Sequence, residues 1–588
     1  MSSKRRFCVK LIHCGNNSLV NRDDQSEKNI FFMPMGLFAL ASTLRENGFD
    51  AEIIHSDSEK GGAIDEILAI GELDAVAFDC HWVNQSLVVL ETARLIKKLK
   101  PELFIFLGGF TASFFAEEIL TAHPEINAVI RGDADLPIAV LCRALSDHLL
   151  SDTHGPATSR DVLAEVPNLV WRDDDNGIHV NEFSYVATAE DMEKLDFAAL
   201  DLLRNWEYYR KRSIYWTRFA PFNFAPLNLS PLFFLEIGRG CANTCLFCGG
   251  NRKAQRIINN RETVAVRSVG SAIATIKKAM SFGFRTFLSD FEFPGSDQWY
   301  KGLFGQIRQE RLEIHYVYSS WGVTSDAMVD ALSQTFERAF VQLSPESADI
   351  ELRRRNKGKG AFYTNDELKR CLDYIDTKGN LRVQLYFGYF LAFETPETVS
   401  RTIEFIMEMI LEYPDLVEVA YLPFSTDPGS LLFLYPDKYD VSCGVRRFQD
   451  FIQNIEDTYL ASSTSRPDMR LFEPKGIAGR CAIDLERQIE LFNYLFRSYR
   501  KSISYLLRAK RSPETILKLL RDSDISVTPG VSEKVKKALL EICGSSRLLD
   551  AHLVETLEIE CRMQQRPRQQ VFQARPEIWL ACETETSS

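Results

Sequence analysis

The chain has 588 residues, of which 45% are hydrophobic and 26% charged, with a formal net charge of −12. At roughly 150 residues per domain this length predicts three or four folded units, and the apolar content excludes a largely disordered chain. The acidic excess argues against a long nucleic acid as partner, because phosphate binding needs a basic surface. No run approaches the roughly 20 apolar residues that span a bilayer, so we expect no membrane partner.

Cysteine usage bears on the compartment. The sequence has 13 cysteines and begins MSSKRRFCVKLIHCGNN, whose apolar run is too short for a signal peptide and is typical of a strand. In a reducing compartment clustered cysteines bind metal more often than they form disulfides. We therefore expect a cytoplasmic protein in which some of the cysteines are ligands.

Residues 1–150 alternate between short apolar runs and helical patterns, which predicts a parallel sheet with helices on both faces. The predicted strands are Phe7–His13, Ala51–His55, Ala75–Asp79, Phe104–Leu107 and Ala128–Arg131, and helices are predicted at Gly36–Asn47 and Ser86–Lys100. Ligands of such sheets bind at the carboxyl ends of the strands. Residues 151–230 are predicted to be a linker that contains one hairpin, turning at Asp175-Asn176-Gly177.

A second alternation over residues 231–436 predicts a barrel or open barrel of six strand–helix units. Its predicted strands are Phe233–Ile237, Thr286–Asp290, Ile314–Tyr318, Ala339–Leu343, Arg382–Phe387 and Val417–Tyr421. Its predicted helices include Gly270–Ser281, Thr324–Gln334, Asn365–Lys378 and Pro396–Tyr413. Residues 437–588 are predicted to be a mostly helical C-terminal domain.

Three cysteines follow the first strand of the second unit, in the segment EIGRGCANTCLFCGG. Cys241, Cys245 and Cys248 lie within eight residues of one loop. Soft thiolates favour iron–sulfur chemistry, and three of them would leave one iron of a 4Fe-4S cluster open to another ligand. Structural zinc is the alternative, but zinc sites use paired spacings and four ligands, and no second CxxC or histidine pair lies nearby.

This CxxxCxxC loop, placed after the first strand of a barrel, resembles that of the radical S-adenosylmethionine (SAM) superfamily. The resemblance implies a partial (β/α)6 barrel that binds SAM at the open iron and reduces it to methionine and a 5′-deoxyadenosyl radical. Phe247 and Gly249 stand where the superfamily places an aromatic residue and a close backbone approach.

The ends of later strands match further superfamily segments in order. The resemblance implies SAM contacts at Ser289, Asp290 and Glu292 after the second strand, although the usual Gly-Gly-Glu is absent, and at Glu346 and Ser347 after the fourth. Thr395-Pro396-Glu397-Thr398 is predicted to open a helix with proline in its first turn, and Pro428-Gly429 matches a turn after the sixth strand.

A Rossmann-like unit ahead of such a barrel resembles the cobalamin-dependent subclass of radical SAM enzymes. Glycines there let the nucleotide tail of cobalamin pass between the sheet and its helices. The cobalamin-binding residues that this resemblance implies are Met35, Gly36, Cys80, His81, Trp82, Gly108, Gly109, Gly132 and Asp133.

Two motifs are missing from this unit. No G-x-G-x-x-G follows the first strand, so dinucleotide binding has little support. The Asp-x-His-x-x-Gly motif, with which many cobalamin proteins supply a histidine to cobalt, is also absent. We therefore expect cobalamin to bind base-off and without a histidine ligand from the protein.

The function implied by the resemblance is C-methylation of an unactivated carbon in a small metabolite or natural-product intermediate. Methylcobalamin would supply the methyl group, a 5′-deoxyadenosyl radical would remove the substrate hydrogen, and a flavodoxin- or ferredoxin-type protein would be the external reductant. Two alternatives stay open at this point: a cyclisation or rearrangement that uses the same cofactors, and a corrinoid or iron–sulfur sensor without turnover.

Overall fold

A computed structural model describes most of the chain. The described residues are 5–15, 33–56, 73–149, 162–212, 231–424, 426–461, 471–477, 479–510, 513–522, 525, 527, 530–544 and 551–565.

The first sheet has seven strands in the order β2-β1-β3-β4-β5-β6-β7, and its first five strands are parallel. These five are β1 (Cys8–His13), β2 (Asp50–His55), β3 (Ala75–Asp79), β4 (Phe104–Gly108) and β5 (Ala128–Ile130). The intervening helices are α1 (Gly36–Glu46), α2 (Ser86–Leu99), α3 (Phe110–Phe114), α4 (Ala116–Ala122) and α5 (Asp135–Leu149). The predicted parallel sheet with covering helices is confirmed.

The hairpin predicted within the linker is part of this sheet. Strands β6 (Leu169–Arg172) and β7 (Ile178–Val180) flank the turn, and β6 pairs antiparallel with β5. The short helices α6 (Ala189–Glu193) and α7 (Trp206–Arg212) follow, and residues 151–161 and 213–230 of the predicted linker lie outside the described residues. Within this region of polar loops, a hairpin forms the last two strands at one edge of the first sheet.

The barrel sheet has six parallel strands whose order, β15-β14-β13-β12-β11-β8, follows the chain. They are β8 (Leu232–Phe234), β11 (Thr286–Ser289), β12 (His315–Ser320), β13 (Ala339–Glu346), β14 (Leu381–Tyr389) and β15 (Val417–Pro423). A short antiparallel pair, β9 (Gly238–Arg239) and β10 (Ala265–Val266), flanks the cysteine loop. Since β8 and β15 do not pair, the barrel is open, as the predicted partial barrel requires.

Helices cover the outside of the barrel. They are α8 (Arg252–Asn259), α9 (Val269–Ser281), α10 (Ser296–Gln309), α11 (Asp326–Thr335), α12 (Ile350–Asn356), α13 (Asn365–Asp376), α14 (Pro396–Glu412) and α15 (Leu431–Leu434). Helix α14 begins as predicted, with Pro396 in its first turn and Thr395 as N-cap, whose hydroxyl accepts a hydrogen bond from the Thr398 backbone.

The C-terminal region is helical, as predicted, but also holds one small antiparallel pair, β16 (Val441–Cys443) and β17 (Phe472–Pro474). Its helices are α16 (Phe448–Ala461), α17 (Arg480–Ser498), α18 (Arg500–Lys510), α19 (Glu514–Asp522), α20 (Val531–Gly544) and α21 (Ala551–Gln565). Helix α16 shares an apolar core with α2 of the first unit, whereas α17 and α18 pack on β15 and α14 of the barrel. In the described part of the chain no helix is both long and apolar enough to cross a membrane.

The loop between β14 and α14 encloses a buried carboxyl group. Glu394 is fully buried, and its Oε2 accepts hydrogen bonds from the backbone N–H groups of Phe390 and Leu391, at 3.1 Å for Leu391. Phe390 and Phe393 both have positive φ angles, 65° and 66°, so the turn depends on these bonds. Burial raises the pKa of Glu394 to about 8.

The first prediction concerns Glu394 and pH. Because the folded-state pKa lies above that of an unfolded glutamate, we expect its contribution to stability to be lost as pH rises from about 4.5 towards 8, by up to about 1.4 kcal/mol per pH unit. Glu394→Gln keeps an oxygen that can accept both backbone bonds but cannot ionise. The stability of wild type relative to this variant, followed by denaturant unfolding, should fall across that interval. A constant difference would contradict the prediction.

Candidate functional site

The cysteine loop lies between β9 and α8, and Asn251 fixes its shape. The Asn251 side-chain amide donates hydrogen bonds to the carbonyl oxygens of Cys245 and Cys248, at 3.0 and 2.8 Å. Its oxygen accepts from the backbone N–H groups of Lys253 and Ala254 and so caps α8. One buried side chain thus joins the loop to the helix that follows it.

Glycines on two sides allow other loops to approach the cysteine loop closely. A Cβ at Gly358 would lie 2.7 Å from the Thr244 backbone nitrogen, and one at Gly249 would lie 2.5 Å from Cβ of Asp427. The Gly249 N–H donates to Asp427 at 3.1 Å, just before the predicted Pro428-Gly429 turn. The segments that follow α12 and β15 therefore hold the cysteine loop from two sides through close contacts.

The three thiols are partly accessible, and burial raises the pKa of each of them. Backbone N–H groups donate to two of the sulfurs, from Asn243 to Cys241 at 3.4 Å and from Gly250 to Cys248 at 3.3 Å. A positively charged iron centre would compensate three such thiolates.

The three cysteines suit a cluster by the chemistry of their donor atoms. Three thiols on one loop, two of whose sulfurs accept backbone hydrogen bonds, are the soft donor set that an iron–sulfur cluster takes. Among the described residues no three Cys, His, Asp or Glu side chains converge on a point that could hold one metal ion.

Two predicted SAM-binding residues lie at the end of β11. The Asp290 side chain is exposed to solvent, and its Oδ1 accepts a hydrogen bond from the Trp321 indole N–H at 3.1 Å. Glu292 accepts from the Ser320 hydroxyl at 2.6 Å. Desolvation raises the pKa of both carboxyl groups. The structure thus brings two carboxylates to the barrel mouth, each oriented by a group at the end of β12.

The remaining predicted SAM contacts are less available. Glu346 is buried with a positive φ of 55°, and its carboxylate pairs with Lys357 at 2.8 Å. Ser289 and Ser347 are fully buried, and their hydroxyls bond to Tyr316 at 2.8 Å and Thr402 at 3.1 Å. These two serines support the strand ends from inside the fold.

Phe247 stacks on Phe424, with ring centroids 4.1 Å apart. Phe424 follows β15 and lies over Gly388 of β14, where a Cβ would approach its ring to 1.8 Å. Gly388 is therefore required for an aromatic pair that joins the cysteine loop to the last two barrel strands. No local pattern in the sequence identifies this glycine.

A cavity of about 450 Å³ lies between the carboxyl edge of the first sheet and the barrel. Eight of the nine residues predicted to bind cobalamin line it: Met35, Gly36, His81, Trp82, Gly108, Gly109, Gly132 and Asp133. The ninth, Cys80, is not among the lining residues; it is buried beside the Ser86 hydroxyl at 3.4 Å, and burial raises its pKa to about 12. On the barrel side the wall includes residues 238–240, which lead directly into Cys241.

Two glycines keep this cavity open. A Cβ at Gly36 would contact nothing within 4 Å, and one at Gly108 would reach only the Ile130 carbonyl oxygen at 4.0 Å. Any side chain at these positions would project into empty space beside the sheet edge. The absence of side chains here suits a planar ligand laid against the backbone, as the predicted corrin would be.

Gly109 and Gly132 serve close packing instead. Both have positive φ angles, and a Cβ at Gly109 would lie 2.8 Å from the His81 backbone nitrogen, while one at Gly132 would lie 2.8 Å from the Phe183 ring. Larger residues would displace the neighbouring loops. These two glycines therefore shape the cavity wall indirectly.

Buried ion pairs join the two units at one side of the cavity. Arg239 of β9 pairs with Asp133 at 3.1 Å and binds Asp135 through both terminal nitrogens, one of them at 3.0 Å. Arg261 also donates to Asp133, and to the Ala187 carbonyl oxygen at 2.8 Å. Asp133, predicted as a cofactor contact, is thus the centre of the interface between the units.

Sequence patterns did not single out several cavity residues. Arg239 and Glu236 face the cavity from the barrel, and Asp135 stands beside them. Desolvation raises the pKa of the half-buried Glu236, although Arg239 opposes the shift. The charged residues in EIGRGC, directly before the first cysteine, could have indicated a role at the cavity. Charged side chains at the end of a strand, however, most often cap a backbone group or face solvent.

Residues 31–141 match the B12 binding domain family. Hopanoid C-3 methylase of Methylococcus capsulatus is 26% identical over 217 residues, which are 37% of this chain and 35% of that protein. Anaerobic magnesium-protoporphyrin IX monomethyl ester cyclase of Synechocystis is 21% identical over 225 residues, 37% of this chain and 38% of that protein. The chain thus matches little more than a third of the length of these relatives.

The structure is similar to that of the radical S-adenosylmethionine methyltransferase TsrM from Kitasatospora setae. With tryptophan and a SAM analogue bound, TsrM aligns at a TM-score of 0.53 and 16% identity, over 73% of this chain and 75% of TsrM. With cobalamin and a [4Fe-4S] cluster bound, it aligns at 0.53 and 15% identity, over 73% and 77%. The predicted two-unit fold is confirmed.

The second prediction tests the interface. Asp133→Ala leaves Arg261 buried without its carboxylate partner, which typically costs about 3–5 kcal/mol. Glu351→Ala removes an exposed i,i+3 partner of Arg354 and should change stability far less, because solvent screens the pair. Denaturant unfolding of both variants gives the comparison, and equal losses would contradict the proposed importance of the buried pairs.

The third prediction tests the open wall of the cavity. Gly108→Val places its Cβ where no atom lies closer than 4.0 Å, so we expect the variant to fold and yet to retain much less cobalamin after gel filtration. Gly270→Val, on the exposed side of α9, is the matched control and should retain cobalamin like wild type. Full cobalamin retention by Gly108→Val would show that the ligand does not lie against β4.

Proposed function

Because the chain combines a B12 binding domain with the fold of a cobalamin-binding radical SAM methyltransferase, we propose that it is a cobalamin-dependent radical SAM methyltransferase. Its substrate would be an unactivated carbon of a small metabolite or natural-product intermediate. Cobalamin would bind base-off, and a flavodoxin- or ferredoxin-type protein would supply electrons.

One observation carries this proposal. The cavity edged by the B12-domain glycines is closed on its other side by the strand residues that lead into the cysteine loop. A cofactor on the first sheet and a cluster on the barrel would therefore face a common space. Methyl transfer through two cofactors requires this arrangement, because reacting groups must be held in contact and away from water.

The position of each residue in the fold would determine its role. Cys241, Cys245 and Cys248 would hold the cluster, and Asn251 would keep their loop in shape. Asp290 and Glu292, whose side chains are accessible at the barrel mouth, would accept hydrogen bonds from the amino group of SAM. When bound, the cluster would supply the electron that cleaves SAM, and cobalamin would supply methyl-transfer chemistry.

Glu346 has a different contribution in this scheme. Glu346 is paired with Lys357 inside the protein. Its carboxylate oxygens would accept further hydrogen bonds, from SAM, only at the end of β13. The backbone at Glu346 is held at positive φ, next to an irregularity in the β13–β14 register. A strained, ion-paired residue at a strand end is typical of a positioned binding group.

A cyclisation or rearrangement is the second candidate. The similarity to the cyclase of Synechocystis, over a little more than a third of this chain, is the observation that favours it. The two candidates differ in the fate of the SAM methyl group. A methyltransferase moves it to the corrinoid and then to the product, whereas a cyclase leaves it on methionine.

The fourth prediction tests the cluster and the reaction together. Protein reconstituted with iron and sulfide, then reduced in the presence of SAM, should show broad iron–sulfur absorption and release 5′-deoxyadenosine. Replacing Cys241, Cys245 and Cys248 together with alanine should abolish both signals, because the cluster loses its protein ligands. Deuterium in the SAM methyl group, followed by mass spectrometry of the corrinoid, should report methylation.

The matched control is Cys481→Ala, which removes an exposed cysteine at the start of α17 and should leave both signals unchanged. Iron–sulfur absorption that survives in the triple variant would place the cluster elsewhere. Reduced wild type that forms neither 5′-deoxyadenosine nor a labelled corrinoid would favour a sensor without turnover.

A further inference from the structure

His81 stands at the carboxyl end of β3, and its backbone is fixed by the segment that follows β4. Thr111 donates two hydrogen bonds to the His81 carbonyl oxygen, from its backbone N–H at 3.2 Å and its hydroxyl at 3.0 Å. Gly109 approaches so closely that a Cβ there would lie 2.8 Å from the His81 nitrogen. The loop therefore has little freedom to move the imidazole away from the cavity it lines.

The imidazole ring is oriented by two aromatic rings. The centroid of Trp82 lies 5.0 Å away with an interplanar angle of 72°, and that of Phe110 lies 4.9 Å away at 66°. Neither ring nitrogen of His81 forms a hydrogen bond within the described part of the chain. Burial lowers the pKa of His81 and so favours the neutral ring, in which one nitrogen carries a lone pair.

Three other histidines of the first unit have carboxylate partners. His13 binds Asp79 at 2.7 Å, His123 binds Glu125 at 3.3 Å, and His179 binds Asp173 at 2.6 Å. His81 differs from these three because it lines the cavity and has no carboxylate partner in the described part of the chain.

The other ionisable groups that line the first-sheet side of the cavity already have partners. Asp79 pairs with His13, and Asp133 and Asp135 pair with arginines. A neutral imidazole nitrogen is a common ligand of transition metals. Histidine ligands usually have a carboxylate nearby that raises their basicity, and Asp79 acts electrostatically on His81.

We propose that His81 is the protein's axial nitrogen ligand to the cobalt of a corrinoid bound in this cavity. The proposal rests on the proposed function, since it requires that cobalamin binds. It replaces the sequence-based expectation of no histidine ligand, which followed from the absence of the Asp-x-His-x-x-Gly motif. The proposed ligand lies instead at the end of β3.

Electron paramagnetic resonance of bound cob(II)alamin tests this ligand directly. Wild-type protein labelled with nitrogen-15 in histidine is loaded with unlabelled cobalamin and reduced to the Co(II) state. An axial histidine should split each cobalt line into two through the labelled nucleus. A three-line splitting would identify the unlabelled base of cobalamin, and unsplit lines would show no axial nitrogen; either result overturns the proposal.

Two variants assign the nitrogen to its residue. His81→Phe keeps an aromatic ring between Trp82 and Phe110, and should retain cobalamin while losing the two-line splitting. His148→Asn, on the exposed end of α5, should keep the splitting. Splitting that persists in His81→Phe would assign the ligand to another histidine and overturn the proposal.

The labelled wild type alone separates this proposal from the proposed function. Wild type that retains no cobalamin would contradict both. Retained cobalamin without a histidine signal would contradict only the role of His81 and leave the proposed function standing.

Discussion

The buried ion pairs between Asp133 and the two arginines, Arg239 and Arg261, are the constraint on which the site depends. Charges buried together must stay paired, because separating them would leave an uncompensated charge away from water. They fix the end of β5 against the strand that leads into Cys241. The distance between the first sheet and the cysteine loop is therefore set by electrostatics at the interface, and the shared cavity follows from that distance.

This constraint also determines which side chains remain available in the cavity. Asp79 and Asp133 are occupied by His13 and by the interface arginines. His81 and Glu236, in contrast, line the space without such a partner among the described residues. The protein thus presents one imidazole from the first sheet and one carboxyl group from the barrel, with glycine backbone between them, while cofactors would carry the demanding chemistry.

Much of the fold could be predicted from the sequence, because the signals are local. Alternating strand and helix patterns predicted both parallel sheets, and Thr395-Pro396 predicted the start of α14, where the cap and proline act within one turn. The Asp-Asn-Gly turn at residues 175–177 predicted a hairpin correctly. Its place in the first sheet was not foreseen, since pairing with β5 depends on a strand about 40 residues earlier.

By itself the sequence determined the cysteine loop, the glycines at the strand ends and the order of the two units, since each is written in neighbouring residues. Only the tertiary structure decided that Asp133 binds Arg239, 106 residues away, that Gly388 makes room for Phe424, and that His81 faces the cavity. Such contacts depend on where distant strands end relative to one another. That relation arises when the sheets pack, and no spacing along the chain encodes it.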